Sequence, residues 1–285
     1  MKNRTNLAVA ALLTLPAFTT GGTPLEQATQ AFQAGEFAKV LELATGLAQD
    51  SADWPRLQYL AGETELVLGS PAEAERAFRN VLAQRPKAVP AEVGLGRALS
   101  AQGKTDEAHE VLSAALAAEP KDVGALVAHG LLLSSLGRSG EAKKELETAW
   151  RLDPKNALTV RGYVEVLLRA DENPAAAAVI ESFAAERPEH PLGPFLLAWV
   201  MERDGEDEQA IEQYQEALKR DPGFIDAHKN LAILCHTLSN TYRAKERVNL
   251  AYEHYERYFA LGGKDPELKA MFESLVSYKD QILGM

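Results

Sequence analysis

The chain of 285 residues contains a single cysteine, Cys235, and only 7% aromatic residues. One cysteine excludes an internal disulfide framework and any zinc site built from several thiolates. The chain also has fewer basic than acidic residues. It contains 30 lysines and arginines against 41 aspartates and glutamates, so the formal net charge is −11. This balance argues against a nucleic-acid or anionic-membrane binder, since both need a positive footprint. A hydrophobic content of 46% is nevertheless too high for a disordered chain.

A long apolar run is missing as well. Two basic residues, Lys2 and Arg4, precede an apolar segment between Leu7 and Phe18, which is much shorter than the roughly 20 residues of a membrane-spanning helix. This length is typical of a secretory signal, so residues 1–23 are predicted to be a signal peptide of an exported protein of the periplasm or cell envelope. No membrane span is expected after its removal. An uncleaved or interfacial N-terminal helix is the alternative, because no Ala-x-Ala motif marks a cleavage site.

A fixed period runs through the rest of the chain. The evenly spaced prolines that mark it are Pro86, Pro120, Pro154, Pro188 and Pro222. Four further columns precede these prolines at constant distances. One contains Gly69, Gly103, Gly137, Asp171 and Gly205, and another contains Ala74, Ala108, Ala142, Ala176 and Ala210. The third contains Phe78, Leu112, Leu146, Ile180 and Tyr214, and the fourth contains Gly62, Gly96, Gly130, Val164 and Ala198. Five columns that stay in register over five periods indicate a true repeat.

These columns are typical of two antiparallel helices in each period. The proline ends the second helix, and the glycine column permits a tight turn between the two. Small residues let the helix backbones approach, and the larger apolar column fills the remaining space. Ser70, Pro71 and Glu73 are predicted to form a capping box at the start of a second helix. The same cap is expected at Thr105, Ser139 and Asn173.

The pattern resembles the tetratricopeptide repeat family, whose small–small–Phe–Pro columns it matches over roughly residues 24–283. It departs from that family where a tryptophan opens the first helix. The residues at those positions are Gln58, Glu92, Leu126, Val160 and Pro194. The resemblance implies an all-α, right-handed superhelical solenoid of about seven helix pairs over residues 24–263. A C-terminal capping helix is expected over 264–285, and no β-structure.

The last repeat breaks the period. The segment Ala251–Tyr258 looks like a second helix but lies about two helical turns too late. We expect that helix to be lengthened at its start, over Tyr242–Asn249, and to end at Gly262 and Gly263. A terminal amphipathic helix over residues 265–282 would then cover the last apolar face, as a solenoid requires.

Two motifs resemble ligand-binding sites, but their positions in the repeat explain them without a ligand. The loose phosphate-loop pattern ending at Gly103–Thr105 falls on the turn column and follows a helix rather than a strand. The acidic run 204–208 lacks the alternate spacing of a calcium loop and suits a helix start. Neither pattern predicts a ligand, and no cofactor is expected.

The histidines and the cysteine receive a similar interpretation. His228 and His236 flank Cys235 on one helix, so a metal site is conceivable there. Cys235 nevertheless lies in a core column, where a packed thiol is expected. His129 lies in an apolar column and is expected to be a hydrogen-bonded interior group. We therefore expect no metal site, and we expect the protein not to be an enzyme.

In the family that the chain resembles, the first helices line a concave groove that holds an extended or helical peptide. Carried over to this sequence, the groove lies at three positions of each first helix, which in the repeat ending at Pro222 are Leu192, Phe195 and Trp199. The candidate partner-binding residues are Tyr59, Arg97, Val127, Leu131, Arg161, Glu165, Leu192, Phe195, Trp199 and Lys229.

Phe195 and Trp199 are the sharpest candidates, because two aromatics one turn apart are frequent binding hot spots. With Arg161 and Arg169 expected close by, they indicate an apolar peptide with an acidic group. The alternative is that both aromatics pack against neighbouring helices.

A chaperone adaptor is not expected, because the lysine and asparagine clamp that some relatives use for chaperone C-termini is missing. One turn after Arg161 stands Glu165, and one turn after Lys229 stands Ile233.

The sequence therefore predicts a non-catalytic scaffold that binds a protein or peptide partner in the groove. The alternative is a helper protein that binds a glycan or small molecule in the same groove. The identity of the partner, the pathway and the oligomeric state are left open.

Overall fold

The computed structural model describes residues 22–240 and 244–283, and all regular structure within them is helical. Two compact units divide the chain, one ending at Val166 and the other beginning at Leu167. The first unit contains α1 (Pro24–Ala34), α2 (Phe37–Gly46), α3 (Trp54–Leu68), α4 (Pro71–Gln84), α5 (Val89–Ala101), α6 (Thr105–Ala118), α7 (Val123–Ser135) and α8 (Ser139–Leu152). The unit boundary falls within α9 (Ala157–Arg169).

The second unit continues with α10 (Asn173–Glu186), α11 (Leu192–Asp204), α12 (Asp207–Arg220) and α13 (Ile225–Thr237). A 3₁₀ turn at Leu238–Asn240, α14 (Ala244–Ala260) and α15 (Pro266–Leu283) complete it. The prediction of an all-α repeat fold with seven helix pairs and a terminal helix is confirmed for the described residues.

The glycine column makes the turns that its spacing predicts. Gly69, Gly137 and Gly205 have φ values of 75–76°, in the left-handed region that glycine enters without a steric penalty. Asp171 occupies the same column with φ of 56°. An aspartate tolerates this conformation better than most residues, so the turn geometry is retained without glycine.

Small residues in the first helices make room for large residues of the second helices. The ring of Phe78 on α4 lies between Gly62 on α3 and Gly94 on α5. A Cβ atom added to Gly62 or Gly94 would stand 2.7 or 2.4 Å from that ring. Leu112 fills the space at Gly96 in the same way. The periodic columns are thus pairs of complementary shapes, and they set the close packing of each repeat on the next.

The predicted capping box at Ser70 is wrong. Ser70 precedes α4 but makes no side-chain cap, and Glu73 pairs instead with Arg76. Ser70 has ψ of 66°, outside the extended conformation in which an N-cap side chain reaches the helix amides.

The other predicted side-chain caps are wrong as well. Thr105, Ser139 and Asn173 are the first helical residues of α6, α8 and α10 rather than their caps. A capping box does occur near the start of the described chain, between Thr23 and Glu26 at the beginning of α1.

The extra residues of the last repeat lengthen both the link before α14 and α14 itself. Helices α4, α6, α8, α10 and α12 each have 14 residues, whereas α14 has 17. The link before α14 is also longer than the link before α12, which consists of Gly205 and Glu206 alone. The predicted lengthening of the helix is therefore correct only in part, and Tyr242 lies outside the described residues.

The signal segment predicted at residues 1–23 lies almost wholly outside the described residues. In the part of the chain that the structure describes, no helix is both long and apolar enough to cross a membrane.

Candidate functional site

The first helices of unit 1 form one continuous face. Helix α3 packs on α5, and α5 packs on α7. Because the repeats of unit 1 have the same length, equivalent positions of successive first helices lie next to each other. We call the surface formed by α3, α5 and α7 the first-helix face. Glu63 and Arg97 are a pair of equivalent positions on it, and they form its polar part.

A charged cluster joins three side chains on α3 and α5. Nη1 of Arg97 donates to both carboxylate oxygens of Glu63 at 2.9 and 3.0 Å. Glu63 is only 4% exposed, so its charge depends on this partner. Tyr59 lies beside them, and burial, followed by the charge of Glu63, raises the pKa of Tyr59. The cluster therefore holds a buried anion and presents a cation above it.

The apolar candidates of unit 1 are packing residues. Val127 is 2% exposed. Leu131 is half-buried, and its Cδ2 atom stands 2.9 Å from the position of a Cβ on Gly162 of α9. Arg161 and Glu165 are half-buried on the same helix as Gly162. The accessible chemistry of the described face in unit 1 is thus mainly polar rather than apolar.

Phe195, the main aromatic candidate in unit 2, is not accessible. Its side chain has no exposed area, and its ring lies 5.1 Å from Trp199, 5.7 Å from Tyr214 and 4.9 Å from Phe224 between ring centroids. The alternative of packing residues is correct for Phe195, because these rings fill the interior between α11, α12 and the start of α13. Leu192, at 4% exposure, is buried as well.

Trp199 and Lys229 keep some exposure. Trp199 is half-buried beside Phe195. The Nζ atom of Lys229 lies 3.1 Å from Oδ2 of Asp265, just before α15, and this ammonium group lowers the pKa of Asp265. Lys229 therefore ties α13 to the terminal helix. The expected proximity of Arg161 to the two aromatics involves both units and stays a prediction.

His129 is a hydrogen-bonded interior residue, as predicted. Its Nδ1 atom lies 2.8 Å from Oε2 of Glu145, and its Nε2 atom lies 2.7 Å from Nδ1 of His109. The outer nitrogen of His109 faces Arg138 at 3.4 Å. No spacing in the sequence indicated this network, because its members come from different columns and from more than one repeat.

The motifs interpreted as structural occupy structural positions. Gly103 forms a turn with φ of 75°, and Lys104 pairs with Glu75 at 2.7 Å. Cys235 is fully buried. His236 pairs with the hydroxyl of Tyr255 at 3.3 Å and not with His228. Among the described residues, no three His, Cys, Asp or Glu side chains are grouped as a metal site would require.

Family models identify the repeat. Three models described as tetratricopeptide repeat match residues 66–129, 127–191 and 195–234. Together they cover more than half of the chain, which therefore belongs to the tetratricopeptide repeat family. Proteins of this family generally mediate protein–protein interactions. No curated protein matches the sequence significantly.

Solved structures with the same fold come from distant proteins. A tetratricopeptide repeat protein from Parabacteroides merdae is 13% identical with a TM-score of 0.66, over 89% of this chain and 97% of that one. PilF of Pseudomonas aeruginosa is 17% identical with a TM-score of 0.54, over 79% of this chain and 97% of that one.

A third similar structure is the APC/C hetero-tetramer Cut9–Hcn1, at 16% identity and a TM-score of 0.63. The match covers 90% of this chain and 49% of that one, so this chain spans about half of the matched protein. At these identities the likenesses show the fold alone.

Proposed function

We propose that the chain is a non-catalytic scaffold that binds a protein or peptide partner on its first-helix face. The observation that supports this proposal is the arrangement at Arg97. One nitrogen of its guanidinium group holds the buried Glu63, whereas the side chain stays 39% exposed. Within the described part of the chain, Nε and Nη2 of Arg97 meet no acceptor. These donors suit a carboxylate of the partner, because guanidinium–carboxylate bonds are strong and directional.

Hydrogen bonding, rather than net charge, favours this contact. Glu63 and Arg97 form a formally neutral pair, and the guanidinium donors that Glu63 does not use remain for a partner carboxylate. With a partner carboxylate bound, Arg97 would lie between two acidic groups, Glu63 and that carboxylate. The rigid spacing of the repeats would then hold neighbouring positions of the partner in register.

The test is a crosslinked pull-down with matched double variants. Glu63→Gln/Arg97→Gln removes the ion pair without leaving a buried charge, and we expect at least one defined partner to disappear. The control is Glu147→Gln/Arg151→Gln, which removes an exposed pair from α8 and should leave capture unchanged. Identical partner sets for the wild type and the Glu63/Arg97 variant would contradict the proposal, provided that circular dichroism shows both to be folded.

We also propose that residues 1–23 direct export to the periplasm or cell envelope of a bacterial host. The two basic residues followed by a short apolar segment support this proposal. N-terminal sequencing of the protein from separated cell fractions tests it. A mature N-terminus close to Thr23 in the periplasmic fraction is expected, and an intact Met1 confined to the cytoplasmic fraction would contradict it.

A further inference from the structure

Two stacked histidines join the third repeat of unit 1, α5 and α6, to the fourth, α7 and α8. His109 lies on α6 and is half-buried, whereas His129 lies on α7 and is only 6% exposed. Their ring centroids are 4.8 Å apart, and the rings are nearly parallel, with an angle of 12° between them. The scaffold proposal gives this pair no role.

The hydrogen bonds around the pair run in one direction. A carboxylate only accepts hydrogen bonds, so Nδ1 of His129 donates to Oε2 of Glu145 at 2.8 Å. In the neutral ring, Nε2 of His129 then holds a lone pair and accepts from Nδ1 of His109 at 2.7 Å. This leaves the lone pair of His109 on its outer nitrogen, Nε2, to which Nη1 of Arg138 donates at 3.4 Å. The direction from the guanidinium group to the carboxylate therefore fits two neutral imidazoles.

A count of protons shows what happens when the pair gains one. One proton lies between His129 and Glu145, and the gap of 2.7 Å between the two rings holds one more. The position that remains within the pair is Nε2 of His109, whichever ring carries the charge. That nitrogen then changes from an acceptor to a donor while it faces the N–H groups of Arg138. Two donors with like charges repel each other, so the contact is lost.

The surroundings of the pair allow this contact to open. Glu141 on α8 accepts two hydrogen bonds from Arg138 at 2.8 and 2.7 Å, and Arg138, followed by Lys144, lowers the pKa of Glu141. On α6, Oγ of Ser113 lies 3.5 Å from Nε2 of His129. Among the described residues, no further element contributes a hydrogen bond or ion pair to either imidazole. Arg138 therefore keeps a carboxylate partner when it leaves the imidazole.

The preceding repeat carries a contact of opposite charges at the equivalent place. There, Nζ of Lys104 donates to Oε2 of Glu75 at 2.7 Å, and the two residues are 29 positions apart, as are His109 and Arg138. The pKa of Glu75 is lowered to about 2, mainly by the hydrogen bond from Lys104, so this pair stays charged in mild acid. One repeat later an imidazole stands in place of the carboxylate, and imidazole is the side chain that changes its charge between about pH 5 and 8.

We propose that His109 is a pH-sensitive switch in the contact between the third and fourth repeats. With neutral rings, the hydrogen bonds from Arg138 through both histidines to Glu145 tie α6 to α7 and α8. Uptake of one proton at Nε2 of His109 releases Arg138 to Glu141 alone, while the hydrogen bond from His129 to Glu145 persists. The switch acts beside the turn between α7 and α8, and it does not depend on the scaffold proposal.

The experiment is ¹⁵N NMR of the histidine, arginine and lysine side chains of the full chain between about pH 8 and about pH 5. At the upper pH, Nε2 of His109 should resonate as an unprotonated nitrogen and Nδ1 of His129 as a protonated one. On acidification, Nε2 of His109 should move to the protonated range while Nδ1 of His129 stays in place. The guanidinium resonances of Arg138 should shift in parallel. Lys104 is the internal control, and its Nζ resonance should stay fixed.

A variant that takes up no proton separates the switch from a general effect of acid. His109→Gln supplies an amide that donates to His129 and accepts from Arg138 at any pH, so the acid-induced shift of Arg138 should fall by more than half. The matched control is His236→Gln, which changes a half-buried histidine of unit 2 and should keep the full shift. Circular dichroism checks that both variants are folded.

The wild type alone keeps the test decisive if a variant unfolds. A protonated Nε2 of His109 at the upper pH would overturn the proposal, because Arg138 would then have no acceptor there. An Nε2 that stays unprotonated down to about pH 5, or Arg138 resonances that stay fixed over the same range, would overturn it as well. So would an undiminished shift of Arg138 in a folded His109→Gln variant.

Discussion

The regular repeats of the two units have the same length but differ in the side chains at one position of the second helix. In unit 1, glycines on the first helices face apolar side chains on the second helices, as Gly62 and Gly94 face Phe78. In unit 2, two of the second helices bury a tyrosine at the corresponding position, Tyr214 and Tyr255. Their hydroxyl groups are hydrogen-bonded to Asn230 and His236. One backbone period therefore accommodates either an apolar side chain or a hydrogen-bonded tyrosine at this position.

This difference has consequences for the response to acid. Four histidines of unit 2, His190, His228, His236 and His254, have pKa values lowered by burial. In unit 1, the hydrogen bond from Lys104 lowers the pKa of Glu75 to about 2. His190 and His254, whose pKa values are lowered to about 4, should cost stability as the pH falls from about 6.5 to about 4, whereas the contribution of Glu75 is lost only between about 4.5 and about 2.

The largest expected effect removes a large apolar ring from the core of unit 1. Phe78→Ala should lower the free energy of unfolding by about 3–5 kcal/mol, because Phe78 has no exposed area. Chemical denaturation measures the loss. Leu152→Ala, at a side chain that is 43% exposed, should change stability by less than about 0.5 kcal/mol. A loss below about 1 kcal/mol for Phe78→Ala would show that the core of unit 1 does not depend on that ring.

A smaller loss is expected when the space for this ring is reduced. Gly94→Ala should cost about 1–3 kcal/mol, as overpacking of a core does, because the new Cβ would lie 2.4 Å from Phe78. Gly46→Ala is the matched control, since nothing lies within 4 Å of a Cβ at that helical position. It should be neutral or stabilising by up to about 1 kcal/mol. Equal denaturation midpoints for the two variants would show that the close approach at Gly94 is not needed.

The acid response of unit 2 can be tested at His254. The pKa of His254 is lowered to about 4, mainly by burial and then by the charge of His228. Between about pH 6.5 and about pH 4 the unfolded chain binds this proton and the folded chain does not, so falling pH destabilises the fold. At about pH 5 this amounts to about 2 kcal/mol.

The measurement is the free energy of unfolding at pH 7 and pH 5 for the wild type and for His254→Gln. The wild type should lose about 2 kcal/mol more than the variant between these values. Glu202, whose pKa burial raises to about 6, acts in the opposite direction, and it is present in both proteins and cancels in the difference. Parallel losses would contradict the assignment of acid sensitivity to His254.

The smallest effect concerns the attachment of the terminal helix. Lys229→Ala removes the partly exposed ion pair with Asp265, and a loss of about 0.5 kcal/mol is expected from such pairs. Thermal unfolding at low and high salt measures it, and the difference between the two proteins should shrink at high salt. A loss of several kcal/mol would mean that Lys229 supports more of α15 than this contact.

Residue spacing alone was enough to predict the period, the pairs of helices and the turns, because each depends on the conformational preferences of residues at fixed intervals. Proline ends a helix and glycine enters a left-handed turn wherever they occur. The same reasoning located the interior histidine His129 and the buried Cys235, since positions that recur in every repeat share their environment.

The accessibility of the groove candidates, in contrast, became clear only from the folded chain. Phe195 was predicted to face the groove, but the rings of Trp199, Tyr214 and Phe224 surround it. The predicted capping box at Ser70 does not form because the backbone of Ser70, with ψ of 66°, is not extended.

The hydrogen bond between Nδ1 of His228 and Nδ1 of His254, at 2.8 Å, could likewise not be predicted from the sequence. The irregular link before α14 shifts His254 out of the repeat period. Contacts between side chains depend on which residues meet across helices, and a one-dimensional spacing does not carry that information.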